Sequence, residues 1–136
     1  MEQITVRAVV DQVCAVTRFV GERLEALGCS ERTRIQLAVA IDEIFSNIAH
    51  YAYQRGAGWA TVSFAVEDRP RCVVLTFTDR GAPFDPLAGE RPDPSRLPKE
   101  ERPIGGLGLF MVKKIMDDIS YTYQDGQNIL TLRKKI

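Results

Sequence analysis

Asp79-Arg-Gly81-Ala-Pro-Phe-Asp85 is the stretch on which the reading of this chain turns. It ends a run of strand-forming residues, Cys72-Val-Val-Leu-Thr-Phe-Thr78, and it opens a region of different composition. Six of the seven prolines lie between Pro83 and Pro103. Proline lacks a backbone donor and resists helix, so that region reads as a loop. A loop this long in a compact domain has a function of its own or no fixed structure. Asp79 therefore stands where an ordered strand meets a long loop.

Working outward, Trp59-Ala-Thr-Val-Ser-Phe-Ala-Val66 reads as the preceding strand, and Asp68-Arg-Pro70 as the turn of a hairpin. Upstream, Ile4 to Val9 alternates as a strand. From Val10 the period lengthens. Val10, Val13, Cys14, Thr17, Val20, Leu24 and Leu27 recur at helical spacing, and Gly28 ends that helix. Ser30 reads as the N-cap of a second helix with Ile35, Ala38, Ile41, Phe45, Ile48 and Ala52 on one face. Downstream of the loop, Gly105 opens a helix that runs to about Asp118. Ile119 to Tyr123 and Asn128 to Arg133 follow as strands, joined through Asp125-Gly126, a strong hairpin signal. The expected fold is an α+β two-layer sandwich, its mixed or antiparallel sheet covered on one face by helices.

Bulk properties remove several function classes. A chain of 136 residues is expected to form one domain, 1–136. Eighteen basic and eighteen acidic residues cancel, which argues against a sequence-independent nucleic-acid binder. Three isolated cysteines, Cys14, Cys29 and Cys72, fit neither a disulfide framework nor a zinc ribbon. Cys14 and Cys72 fall in apolar patterns and are expected in the core. No signal peptide and no membrane-length apolar run is visible, so a cytoplasmic protein without membrane contact is expected.

Three signatures carry chemistry. Glu43 and Asn47 lie one helical turn apart and point the same way. An amide oxygen is a hard ligand suited to Mg²⁺, and a carboxylate beside it can take a proton from a hydroxyl. The plain alternative is the polar face of an amphipathic helix. His50, the only histidine, shares that face and reads either as a phosphate contact or as a packing residue. Asp79 accepts hydrogen bonds without donating any, so it can accept one from adenine's exocyclic amine and would repel guanine's carbonyl. Gly81 permits a backbone path that a side chain would obstruct. A surface turn is the plain alternative for this signature. Gly105-Gly106-Leu-Gly108 before a helix is a phosphate cradle or a hinge. It lacks the Gly-Lys-Ser/Thr of a Walker loop, and it lacks the preceding strand and the last glycine of a dinucleotide fingerprint.

In this order the signatures resemble the GHKL (HATPase_c, Bergerat fold) ATPase superfamily. Asp42-Glu-Ile-Phe-Ser-Asn-Ile-Ala-His-Tyr-Ala-Tyr53 resembles its N box in the bacterial anti-sigma factor serine/threonine protein kinases. Asp79-Arg-Gly-Ala-Pro-Phe-Asp-Pro86 resembles their adenine motif, and Gly105 to Asp117 their second glycine motif. The resemblance implies ATP and Mg²⁺ held between helices and a lid at about 86–104. It implies Asn47 as the magnesium ligand and Glu43 as general base. Asp79 and Gly81 would meet adenine, and Gly105, Gly106 and Gly108 the phosphates. His50, Thr131 near the adenine, and a lid arginine (Arg102, with Arg91 and Arg96 open) would complete the ATP site. Histidine kinases generally carry asparagine where Glu43 stands and need a separate phosphoacceptor helix domain. The implied activity is therefore serine/threonine phosphorylation of a STAS-type anti-anti-sigma protein by a homodimer that also binds a sigma factor. A non-catalytic ATP-binding partner-switching module is the alternative.

Overall fold

The computed structural model describes residues 2–53, 58–87 and 106–136. Strand β1 (Glu2–Arg7) leads through a 3₁₀ turn at Val10–Gln12 into helix α1 (Val13–Ala26) and helix α2 (Glu31–Asn47). A π-helical turn, Ile48–Ala52, extends α2. Strands β2 (Trp59–Glu67) and β3 (Cys72–Asp79) form a hairpin. Helix α3 (Gly106–Ile115) precedes β4 (Asp118–Gln124) and β5 (Gln127–Lys135). The five strands lie in the order β1-β2-β3-β5-β4, and every pairing is antiparallel. The expected α+β sandwich is the observed one, and the sheet is antiparallel rather than mixed.

Local chemistry explains the ends of the elements. Ser30 Oγ accepts from the Thr33 amide at 3.2 Å, so it caps α2 as its residue type predicts. Gly28, at φ +72°, stops the preceding helix in a conformation that a side chain strains. Asp125 and Gly126 both take positive φ, as the tight β4–β5 hairpin requires.

The core lies on the face of the sheet turned toward the helices. Along β3, Val73, Leu75, Phe77 and Asp79 point toward the helices, in register with Phe64, Val62 and Ala60 of β2 and Leu132, Leu130 and Asn128 of β5. Opposite them stand Val16, Val20 and Leu24 of α1, Leu37, Ile41, Ile44 and Phe45 of α2, and Leu109 and Val112 of α3. Helix α2 packs between the other two. The far face of the sheet carries Ser63, Thr76 and Thr131 side by side.

Two core expectations need correction. Cys14 is exposed, because the buried stripe of α1 is Val16, Val20 and Leu24, and two residues turn a helix by about 200°. Ile35 is 56% exposed for the same reason, since the stripe of α2 runs through Leu37, Ala40, Ile41, Ile44 and Phe45. Cys72 is buried as expected. Among the described residues, no helix is long and apolar enough to cross a membrane.

Candidate nucleotide site

The last turn of α2 brings Glu43 and Asn47 together. Asn47 Nδ2 donates to Glu43 Oε1 at 3.4 Å. Burial pushes the Glu43 carboxyl above its ordinary value of 4.5. The Asn47 bond opposes that shift, the Asp42 charge adds to it, and the Leu109 backbone amide opposes it. Leu109 belongs to the first turn of α3, whose amides have no partner within the helix. Glu43 thus connects the end of one helix to the start of another. A carboxylate held closer to neutrality is a better proton acceptor at neutral pH than a fully solvated one.

Beyond Asn47 the helix widens. The π turn ends at Ala52, and Tyr53 is extended. The Ala52 carbonyl, freed by this ending, accepts from the Ala82 amide at 2.9 Å. Gly81 lies against the same carbonyl. A Cβ there would stand 2.1 Å from the Ala52 oxygen, so the close approach requires glycine. The Tyr53 hydroxyl adds a second tie, donating to the Trp59 carbonyl at 2.7 Å and accepting from the Arg80 amide at 2.9 Å.

Asp79 closes β3 between Ala60 and Asn128 and is 5% exposed. Its Oδ1 accepts from the Gly81 amide at 2.8 Å and from Asn128 Nδ2 at 2.9 Å. Asn128 Nδ2 also donates to the Ala82 carbonyl at 2.9 Å, and its Oδ1 accepts from the Phe84 amide at 3.1 Å and from the Tyr121 hydroxyl. The Asp79 carboxylate and the Asn47 amide line one cavity. Its apolar walls include Ile44, Ile48, Phe77 and Leu130, and Tyr121 and Asn128 complete its polar part. An apolar slot ending in a buried carboxylate fits a flat heteroaromatic ligand with an N–H donor on its edge.

Asn47 and Asp79 therefore meet at the cavity, while Glu43 and Gly81 do not line it and are bonded to Asn47 and Asp79 respectively. His50 does not line the cavity. It is exposed and lies beside Tyr51, with 6.2 Å between ring centroids. Thr131 is on the wrong side of the sheet. Asn128 and Leu130 face the helices, and strand alternation turns Thr131 to the far face, opposite Thr76. The neighbour of Asp79 on β5 is Asn128, which no sequence motif marks. Its position follows from the β3–β5 register, a pairing between segments about fifty residues apart. Gly106 and Gly108 fall in the first turn of α3. Arg91, Arg96, Arg102 and Gly105 lie outside the described residues, as does the expected lid apart from Pro86 and Leu87.

The residues present fit Mg²⁺. Asn47 supplies a hard amide oxygen and Glu43 a carboxylate in contact with it. Among the described residues no group of three or more His, Cys, Asp or Glu side chains could hold a metal. A magnesium ion here would thus be held jointly with ligand phosphates and water, which is its usual manner.

Known proteins resemble this chain in sequence. The histidine kinase-like ATPase domain family matches residues 6–134. The serine/threonine-protein kinase BtrW of Bordetella bronchiseptica is 34% identical over 103 residues, covering 76% of this chain and 71% of its own length. The serine-protein kinase RsbW of Bacillus cereus is 34% identical over 98 residues, 69% of this chain and 59% of its own length. RsbW of Bacillus mycoides is 32% identical over the same shares. The chain thus spans about three fifths of the length of these Bacillus relatives. With its three signatures arranged on a five-stranded antiparallel sheet beneath three helices, the chain belongs to the histidine kinase-like ATPase domain family.

Proposed function

We propose that this protein binds ATP with Mg²⁺ and transfers the γ-phosphoryl group to a serine or threonine hydroxyl of a STAS-type anti-anti-sigma protein. The observation that carries the reading is a single cavity lined by the buried Asp79 carboxylate and by Asn47, with Glu43 in contact with Asn47. Adenine enters the apolar slot and donates its exocyclic N–H to Asp79. Gly81 lets the backbone run flush against the π turn behind it. Asn47 is the magnesium ligand, and the ion supplies charge neutralisation on the phosphates. Gly105, Gly106 and Gly108 meet the phosphates, with Arg102 as the lid contact and His50 at the solvent side. Glu43 accepts the proton of the attacking hydroxyl, and its burial favours that role.

The relatives named as serine or serine/threonine kinases support transfer to a hydroxyl. The second partner in this reading is a sigma factor, bound by a homodimer in the cytoplasm, which makes the protein an anti-sigma factor controlled by partner exchange. The test is a transfer assay with radiolabelled ATP, Mg²⁺ and a STAS protein encoded nearby. Label on the STAS protein is expected. Tight ATP binding without any label on it would overturn the kinase reading in favour of a non-catalytic switching module. Glu43→Ala is expected to keep ATP binding and to slow transfer by about 10²–10⁴-fold, as loss of a general base does. Transfer at the wild-type rate would remove Glu43 from the chemistry.

A further inference from the structure

Asn128 is buried, 6% exposed, and belongs to none of the three signatures. Its carboxamide nevertheless makes contacts on both sides. Two donors, the Phe84 amide and the Tyr121 hydroxyl, converge on its oxygen. Only acceptors surround its nitrogen: Asp79 Oδ1 at 2.9 Å, the Ala82 carbonyl at 2.9 Å and the Gly81 carbonyl at 3.4 Å. The reversed amide would set N–H against N–H and oxygen against oxygen, so this network admits one orientation. Burial, the largest influence on Tyr121, pushes its hydroxyl above the usual phenol range and keeps it a donor.

We propose that Asn128 is a positioning residue that makes the site selective for a purine bearing an exocyclic amine. This inference rests on the adenine reading of Asp79 given above. A carboxylate oxygen offers two lone-pair directions. Those of Asp79 Oδ1 are taken by the Gly81 amide and by Asn128 Nδ2. Among the described residues Oδ2 accepts nothing, and it is the oxygen left for a ligand. Asn128 prevents the carboxylate from rotating and holds its charge in place. The same amide ties the backbone of residues 81–84 to β5, so the carboxylate and the wall beside it are set by one side chain. No residue of the family signatures makes this connection, because Asn128 reaches Asp79 only through the pairing of β3 with β5.

The experiment compares the affinity of ATP with that of purine riboside triphosphate, which lacks only the exocyclic amine. Wild type, Asn128→Ala and Asn128→Asp are measured, and melting curves verify folding. Asn128→Asp keeps an oxygen for Phe84 and Tyr121 but removes the donor to Asp79, and its near-identical shape makes it the second variant. Wild type is expected to prefer ATP by about ten- to hundredfold, the effect of one hydrogen bond to a charged group. Both variants are expected to lose most of that preference while still binding the analogue. Folded variants with the wild-type preference, even at weaker overall affinity, would reduce Asn128 to a structural residue and overturn the proposal. A wild type that binds neither nucleotide would overturn the functional reading itself. A wild type that binds both equally would overturn the adenine role of Asp79.

Discussion

Asp79 lines the cavity and Glu43 reaches it only through Asn47, so the two carboxylates have different surroundings. Asp79 has one oxygen saturated by donors from Gly81 and Asn128. Asp79→Asn keeps an acceptor for those two donors but turns an N–H toward the cavity in place of Oδ2. ATP affinity is expected to fall about ten- to hundredfold without loss of the folded state, as calorimetric titration alongside a melting curve would show. Unchanged affinity would remove the adenine contact. Glu43 has a raised carboxyl, chiefly from burial. Its folded form binds a proton more tightly than the unfolded chain does. The stability linked to that proton is therefore full below about pH 4.5 and is lost as pH rises through the folded value. Glu43→Gln has no such proton. Denaturation measured across this window should show the variant gaining on wild type as pH rises, and a constant difference would contradict the burial argument.

At the scale of elements, the site depends on how α2 ends. An uninterrupted α-helix would have paired the Ala52 carbonyl internally or turned it elsewhere. The π turn instead presents it to Ala82 and lets Gly81 lie against it. π-Helical segments are rare and concentrate at functional sites. Gly81→Ala places a Cβ against backbone that has no room to yield. A loss of about 1–3 kcal/mol in unfolding free energy is expected, along with weaker nucleotide binding. Wild-type stability in the variant would mean that the two segments separate readily. The end of α2 was only partly legible in advance. A halt near Gln54 follows from Gly56 and Gly58, whereas the widening at Ile48 has no composition signal.

At the scale of the whole molecule, the described residues form one sheet with a single layer of helices, and a cavity forms where α2, β3 and β5 meet. Phe45 is fully buried on the inner face of α2, two residues before Asn47. Phe45→Ala leaves a hole at the centre of the core and is expected to cost about 3–5 kcal/mol, measured by chemical denaturation. Because Phe45 shares a helix with Glu43 and Asn47, transfer activity should fall with stability. A cost below 1 kcal/mol (roughly the value of a single buried methylene) would show that the layers repack around the loss.

Local signals determined much about this protein. Strand alternation, helical periodicity, the Ser30 cap, the Gly28 stop and the Asp125-Gly126 turn each act over a few residues, so they were readable along the chain. The pairing of Glu43 with Asn47 was readable for the same reason, since a helix brings i and i+4 together. What joins distant segments was decided only by tertiary structure. Cys14 and Ile35 have apolar side chains at helical spacing, but the packing of the layers chose a different stripe. Thr131 and Asn128 differ by three positions on one strand, and the register against β3 decided which of them meets Asp79. A local pattern states that a strand has two faces. Only its long-range hydrogen bonds set which residue lies beside a given neighbour, and so which polar group is buried.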